Sequence, residues 1–90
     1  MLKIVYSNQF KKDYKLMQKR GYDMNKLKTV IQMLAENQTL PAKYKDHYLT
    51  GNYKEFKECH IQPDWLLIYI IKKDVLTLSV TRTGTHSDLF

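Results

Sequence analysis

The sequence predicts an α+β fold: an N-terminal short strand and a two-helix antiparallel hairpin packed on one face of a largely antiparallel sheet of four to five strands. Two patterns support this prediction. Before Pro41, apolar residues recur at helical spacing, whereas from Leu49 onward they alternate or run together between turn sequences, as in strands. Helices followed by a series of strands favour a layer of helices on one face of an antiparallel sheet.

The first helix follows a short strand, LKIVY, whose residues alternate in polarity. Ser7 or Asn8 can cap this helix, and Gly21 ends it. One face of the helix is apolar and contains Phe10, Tyr14 and Met17. Another face is basic and contains Lys11, Lys15 and Lys19. We call these last three residues the α1 lysines.

The second helix can be capped by Asp23 and ends before Pro41, because the residue that precedes a proline disfavours helical geometry. Four apolar residues lie at helical spacing along it: Met24, Leu27, Ile31 and Leu34. The two helices are therefore expected to form an antiparallel hairpin.

Three strands are predicted in the second half. YKEFKECHI is the first, a Gln-Pro-Asp turn leads to the apolar run WLLIYII, and a Lys-Lys-Asp turn leads to VLTLSVTR. In the last strand Leu76, Leu78 and Val80 alternate toward one face, and Arg82 continues their parity. The Thr-Gly-Thr stretch that follows is expected to be too flexible for a strand interior, so that His86 lies in a polar tail.

The composition indicates one small domain, residues 1–90, with 43% hydrophobic residues and no low-complexity tract. The single cysteine, Cys59, allows no internal disulfide and suggests the reducing cytoplasm. No apolar stretch approaches the roughly 20 residues that a membrane span needs, and the N-terminal residues lack the apolar region of a signal peptide. We therefore expect a cytoplasmic protein that does not bind membranes.

The formal net charge of +6 is concentrated at one end of the chain. Residues 1–28 contain eight Lys or Arg and two Asp, whereas residues 29–90 contain seven residues of each sign. A basic helix of this kind favours a polyanion or an acidic partner through counterion release. A solvated helix face remains an equally good interpretation of the lysines alone.

The candidate functional residues cluster where strands end. His60 ends one predicted strand, Asp64 and Trp65 flank the turn to the next, and Arg82 ends the last. His47 lies in a predicted loop and His86 in the tail. Simpler interpretations also exist: Asp64 can accept turn hydrogen bonds, Trp65 can be a core residue, and Arg82 can pair with a carboxylate. A zinc site is disfavoured, because no two histidines have the close spacing typical of such sites.

Longer motifs add a resemblance to a known family. KDHYLTGNYKEFKECHIQPDWLLIYI followed by RTGTHSDLF closely resembles the YafQ branch of the RelE-like type II toxins, which are ribosome-dependent mRNA interferases. The resemblance extends along the chain through the lysine-rich first helix, DMNKLK and LPAKYKDH. It implies the same α+β fold, and it places several residues at positions that the family uses for catalysis or substrate placement: His47, His60, Asp64, Trp65, Arg82, His86 and Phe90.

The resemblance implies cleavage of translated mRNA without a metal or other cofactor, through attack by the RNA 2′-hydroxyl group. Such a reaction needs a general base, a general acid and positive charge on the phosphate, which histidine and arginine supply well near neutral pH. We expect His86 to be the acid, His47 or His60 with Asp64 to be the base, and Arg82 to contact the phosphate. Trp65 and Phe90 are expected to stack on unpaired bases.

The resemblance also implies three partners: the mRNA substrate, the ribosomal RNA contacted by the α1 lysines, and a cognate, DinJ-like antitoxin whose complex with the toxin can bind operator DNA. An alternative is a catalytically silent RNA-binding or corepressor module that acts only through the antitoxin complex. Expression of the chain alone separates the two hypotheses, because a silent module should not arrest growth.

Overall fold

The computed structural model describes residues 1–90 as eight helices and strands, joined by turns that include three short 3-10 segments. These are β1 (Lys3–Tyr6), α1 (Asn8–Lys19), α2 (Met24–Ala35), β2 (His47–Tyr48), β3 (Lys57–Gln62), β4 (Trp65–Lys72), β5 (Thr77–Gly84) and α3 (His86–Leu89). The strands form one sheet in the order β1-β5-β4-β3-β2. Only the β1–β5 pair is parallel. The predicted α+β fold is confirmed.

The predicted helix ends are confirmed by the capping contacts. The side chain of Ser7 accepts a hydrogen bond from the Phe10 amide at 2.9 Å, and Asp23 accepts one from the Asn25 amide at 3.1 Å. Gly21 follows α1 with a φ of 86°, a left-handed conformation that glycine adopts without steric cost. Local sequence signals thus place the starts of both helices and the end of α1.

The hydrophobic core lies between the helices and one face of the sheet, and it contains 17 buried residues. The predicted apolar positions of α1 and α2 point into it. Trp65, which is completely buried, packs edge-on against Tyr22 with ring centroids 5.0 Å apart. Its indole nitrogen donates to the Thr83 hydroxyl at 2.9 Å, so the polar atom of the ring is satisfied inside the core.

The strands differ from their predicted bounds in three places. β3 begins at Lys57 rather than at Tyr53, because the Gly51–Tyr53 segment forms a 3-10 turn. His47 belongs to β2 instead of a loop, and His60 lies within β3 instead of at its end. β5 continues to Gly84, and the expected polar tail is the short helix α3.

Helix α1 covers the edge of β5 beyond the point where β1 ends. The Ser7 hydroxyl donates to the Thr81 carbonyl oxygen at 2.7 Å, and the Thr83 amide donates to the Asp13 carboxylate at 3.2 Å. These side chains supply the hydrogen bonds that a neighbouring strand would otherwise make, and unpaired backbone groups at a buried edge are costly.

The opposite surface of α1 carries the α1 lysines, all of which are exposed. None of the three helices combines the length and apolar character needed to span a bilayer.

Candidate active site

The face of the sheet that points away from the core, here called the open face, receives Arg82 because β5 contains a bulge. Val80 pairs with Tyr69 and Arg82 pairs with Ile68, so Thr81 is an extra residue with no partner in β4. The bulge reverses the alternation of side chains after Val80. The expectation that Arg82 shares a face with Leu78 and Val80 is therefore wrong, since those two residues lie in the core and Arg82 does not.

A second bulge, at Ile61 in β3, lies beside the turn into β4. Ile61 joins the core, whereas His60 pairs with Leu66 on the open face. Register then aligns the open-face residues of four strands in one row, and the row consists of His47, Glu58, Ile68 and Arg82. The next row consists of His60, Leu66 and Gly84.

Two apolar residues form the floor of this surface. Leu66 is completely buried and Ile68 is 8% exposed, although both lie outside the main core cluster. Of the polar side chains above this floor, Glu58 is 8% and His60 19% exposed, so a charge placed beside these two interacts more strongly than on an open surface. The open face is thus suited to hold an ionic substrate.

Gly84 allows α3 to fold back onto the sheet. A Cβ atom at this position would lie 2.9 Å from the Asp88 Cβ, which is closer than two carbon atoms can approach. The helix itself starts with a capping box, in which the Thr85 hydroxyl and the Asp88 carboxylate each accept a hydrogen bond from the other residue's backbone amide. Arg20, at the end of α1, adds a bidentate contact to Asp88 at 2.7 and 3.1 Å.

This arrangement places the His86 ring beside His60, which in turn lies beside His47. The centroids of His60 and His86 lie 5.8 Å apart, and those of His47 and His60 lie 6.3 Å apart. His60 is therefore the central ring, with His86 on one side and His47 on the other. The three histidines are far apart in the sequence, and only the register of β2 and β3 together with the fold of α3 brings them together.

His86 and Asp64 form a dyad. The Asp64 carboxylate accepts hydrogen bonds from the His86 backbone amide at 3.0 Å and from its Nδ1 at 2.5 Å. These hydrogen bonds hold the pKa of Asp64 below its usual range, the backbone bond most strongly. Since a carboxylate can only accept, the proton resides on Nδ1 and Nε2 is directed elsewhere. The expected pairing of Asp64 with a base histidine is wrong, because Asp64 contacts the proposed acid.

Glu58 is a site residue that the sequence interpretation missed. Its Oε1 lies 3.5 Å from the Nε2 atoms of both His47 and His60, and the residue is 6% exposed. The Nδ1 of His47 donates to the Lys45 carbonyl at 2.6 Å, which turns its Nε2 toward Glu58. A signal was present in the sequence, because Glu58 and His60 are two residues apart in a strand and must share a face.

Arg82 is held by Asp13 of α1. Its Nε and Nη2 atoms donate to the Asp13 carboxylate at 2.8 and 3.2 Å, and this contact raises the pKa of the guanidinium. The Nη1 group forms no hydrogen bond within the protein, and the side chain is 33% exposed. Asp13 therefore orients the guanidinium and leaves donors free for an anion.

The two candidate stacking residues have different positions. Phe90 is 71% exposed and is free to contact a ligand, whereas Trp65 has no exposed surface. The expectation that Trp65 stacks on bases is wrong, and its simpler interpretation as a core residue is correct. No group of three or more His, Cys, Asp or Glu side chains is arranged to hold a metal ion.

Known proteins resemble this chain over nearly its whole length. The chain is 50% identical over 88 residues to the mRNA interferase toxin YafQ of Escherichia coli K12, covering 97% of this chain and 94% of that protein. Its structure matches a metal-bound toxin from Helicobacter pylori with a TM-score of 0.94 and 50% identity, over the full length of both chains. It also matches a chain of the E. coli DinJ-YafQ complex with a TM-score of 0.92 and 48% identity, over 100% of this chain and 99% of that one.

A sequence profile of the bacterial YafQ toxins of type II toxin-antitoxin systems matches residues 2–90. Nearly the whole chain is covered, by sequence and by structure alike. The chain therefore belongs to the YafQ toxin family.

Proposed function

We propose that this chain is the toxin of a type II toxin-antitoxin pair and that it cleaves translated mRNA on the ribosome. The observation that carries the proposal is the convergence of three histidines and an arginine on the open face. These groups match the needs of RNA cleavage by its own 2′-hydroxyl group: proton transfer at two oxygen atoms and positive charge at the phosphate. The names of the relatives, an mRNA interferase and a partner of DinJ, support the same activity.

His86 acts as the general acid in this proposal. Asp64 holds its Nδ1 proton, so the protonated ring presents Nε2–H to the departing 5′-oxygen. The dyad also fixes the ring orientation, since the same carboxylate oxygen accepts from the backbone amide of His86. The acid thus needs no rearrangement when the substrate binds.

The general base lies on the other side of the phosphate. His60, the central ring, is backed by Glu58, whose Oε1 is 3.5 Å from its Nε2. We assign the His60–Glu58 pair to the proton of the 2′-hydroxyl group, and His47 to the support of Glu58. The free Nη1 of Arg82 then donates to a non-bridging phosphate oxygen, where negative charge grows in the transition state. The products are a 2′,3′-cyclic phosphate, or its hydrolysed 3′-phosphate, and a 5′-hydroxyl end.

The partners follow from the family and from the charge. The α1 lysines lie on a surface separate from the open face, so they can bind ribosomal RNA while the site holds mRNA. A DinJ-like antitoxin neutralises the toxin, and their complex can bind operator DNA. A toxin that acts on ribosomes works in the cytoplasm.

A test replaces His86 by Gln and measures single-turnover cleavage of mRNA on programmed ribosomes. We expect the rate to fall roughly a hundredfold or more with ribosome affinity nearly unchanged, the usual effect of removing a general acid. Ser87→Ala, an exposed position on the same helix, is the matched control and should cleave normally. Normal cleavage by folded, ribosome-bound His86→Gln would remove the acid assignment.

The same assay separates the alternative functions. A wild-type chain that binds ribosomes without cutting mRNA and without arresting growth would be the silent module. Because one relative is a metal-bound toxin, the protein is also treated with EDTA and dialysed before it is added to ribosomes in their usual Mg²⁺ buffer. Loss of cleavage by the treated protein, restored by adding a transition metal, would replace the proposed mechanism by a metal-dependent one.

A further inference from the structure

A basic groove adjoins the active site at His60. It has a volume of about 510 Å³ and lies between the start of α2, the Ala42–Tyr44 turn and the end of β3. His60 forms part of its wall, so the groove and the open face share a residue. Three lysines line it, from two separate elements of the fold: Lys26, Lys43 and Lys45. None of its nine lining residues is acidic.

The three ammonium groups are available to a ligand. None of them forms an ion pair, whereas Lys57, elsewhere on β3, is paired with Asp46 at 2.8 Å. Lys43 lies over the ring of Tyr44, 5.1 Å from its centroid, which restricts its motion. A concave surface with three unpaired lysines and no carboxylate is suited to a polyanion.

The backbone connects the groove to the active site. Lys45 has a φ of 50°, in the left-handed region that non-glycine residues rarely adopt. In this conformation its carbonyl oxygen accepts the hydrogen bond from Nδ1 of His47. The residue thus contributes its side chain to the groove and its main chain to the active site, so the two surfaces have a fixed relative position.

The order of the histidines gives the groove a direction. His86, the acid that serves the downstream 5′-oxygen, lies on one side of His60. His47 lies toward the other side, where it is held by the carbonyl oxygen of Lys45, and Lys45 lines the groove together with His60. The nucleotide that carries the attacking 2′-hydroxyl group should lie beside His60, and the RNA chain continues from this nucleotide in the 5′ direction.

We propose that the groove binds the phosphates of the substrate RNA upstream, on the 5′ side, of the cleaved linkage. This inference rests on the proposed function, because the direction depends on His86 being the acid. The lysines contact phosphates and not bases, so they position the RNA and add affinity without sequence preference. Their effect is therefore measured as substrate affinity, on RNA that cannot be cut.

The test uses mRNA in which single phosphates are replaced by neutral methylphosphonates, one linkage at a time. A 2′-deoxy nucleotide at the mapped cleavage position prevents cutting, and toxin affinity is measured on programmed ribosomes. Lys26→Gln, Lys43→Gln and Lys45→Gln are combined in one variant. The matched control combines Lys54→Gln, Lys72→Gln and Lys73→Gln, which removes three exposed lysines that line a different surface.

The groove variant should bind about tenfold more weakly than wild type, with a salt slope lower by about 2, since each phosphate contact on a single strand contributes about 0.7. Upstream methylphosphonates should weaken binding by wild type and by the control variant, but not by the groove variant. Uniform effects at all linkages, or effects confined to downstream linkages, would overturn the inference.

Two further outcomes are informative. If the groove variant binds RNA normally but loses affinity for its antitoxin, the groove belongs to the antitoxin interface and the inference is wrong. If wild type does not cut unmodified mRNA, the proposed function fails and the upstream assignment fails with it. A normal wild-type cleavage rate with no effect of the groove variant removes the groove inference alone.

Discussion

Replacing Gly84 by Ala should inactivate the toxin while leaving it folded. The new Cβ would lie 2.9 Å from the Asp88 Cβ and 3.1 Å from its Oδ2, so α3 must move outward by roughly 0.5 to 1 Å to restore a normal contact. The overpacking should cost about 1 to 3 kcal/mol of stability. Because His86 is the first residue of α3, the shift moves the proposed acid by a similar distance, and a displacement of about 1 Å can slow an enzyme roughly a hundredfold.

The assay is single-turnover cleavage on programmed ribosomes, together with thermal unfolding of each protein. Gly51→Ala is the matched control, because Gly51 has a φ of 68° and open space around its Cβ position. It should cost a comparable 1 to 2 kcal/mol through backbone strain without moving α3. Wild-type cleavage by folded Gly84→Ala would refute the reasoning. An equal loss of activity in Gly51→Ala would refute it too, because destabilisation alone would then explain the effect.

Three further predictions concern residues around the site. Arg20 holds the pKa of Asp88 well below its usual range. The stabilisation from the Asp88 carboxylate is therefore fully present at pH values above the ordinary carboxyl pKa, and it is lost as the pH falls through the lowered pKa of the folded protein. Arg20→Gln should move the NMR titration midpoint of Asp88 back toward about 4, and an unchanged midpoint would contradict this. Burial raises the pKa of the Cys59 thiol to about 12, so Cys59→Ser should stay toxic and the native thiol should resist alkylation at neutral pH; a folded but inactive Cys59→Ser would count against the mechanism. Changing the α1 lysines together to Glu should weaken ribosome binding and flatten its salt dependence, with antitoxin binding measured separately, and an unchanged salt slope would exclude their role.

Features encoded locally were predictable from the sequence. The Ser7 and Asp23 caps, the left-handed Gly21 and the apolar faces of both helices each depend on residues within one or two turns. The paired strands also follow from alternation and turn sequences. The start of α3 carried a signal that was overlooked, because Thr85 followed three residues later by Asp88 is a capping-box pattern.

Features that depend on register were not predictable. Periodicity gives Arg82 the same parity as Leu78 and Val80, and only the pairing of β5 with β4 reveals the extra residue that turns it to the opposite face. Alternation alone puts Glu58 on the same face as His60, but its contact with His47 depends on the pairing of β2 with β3. Likewise, the partner of Asp64 is 22 residues away and depends on how α3 folds back. Long-range contacts of this kind leave no local pattern in a single sequence.

The two bulges make the proposed site depend on strand register as much as on residue identity. If the β5 bulge closed with Thr81 opposite Ile68, Arg82 would lie opposite Leu67 and its side chain would turn toward the apolar interior. If the β3 bulge closed with Ile61 opposite Leu66, His60 would lie opposite Leu67 and would turn inward in the same way. A slip of one residue in either strand would therefore separate the proposed catalytic groups without changing a single residue of the sequence.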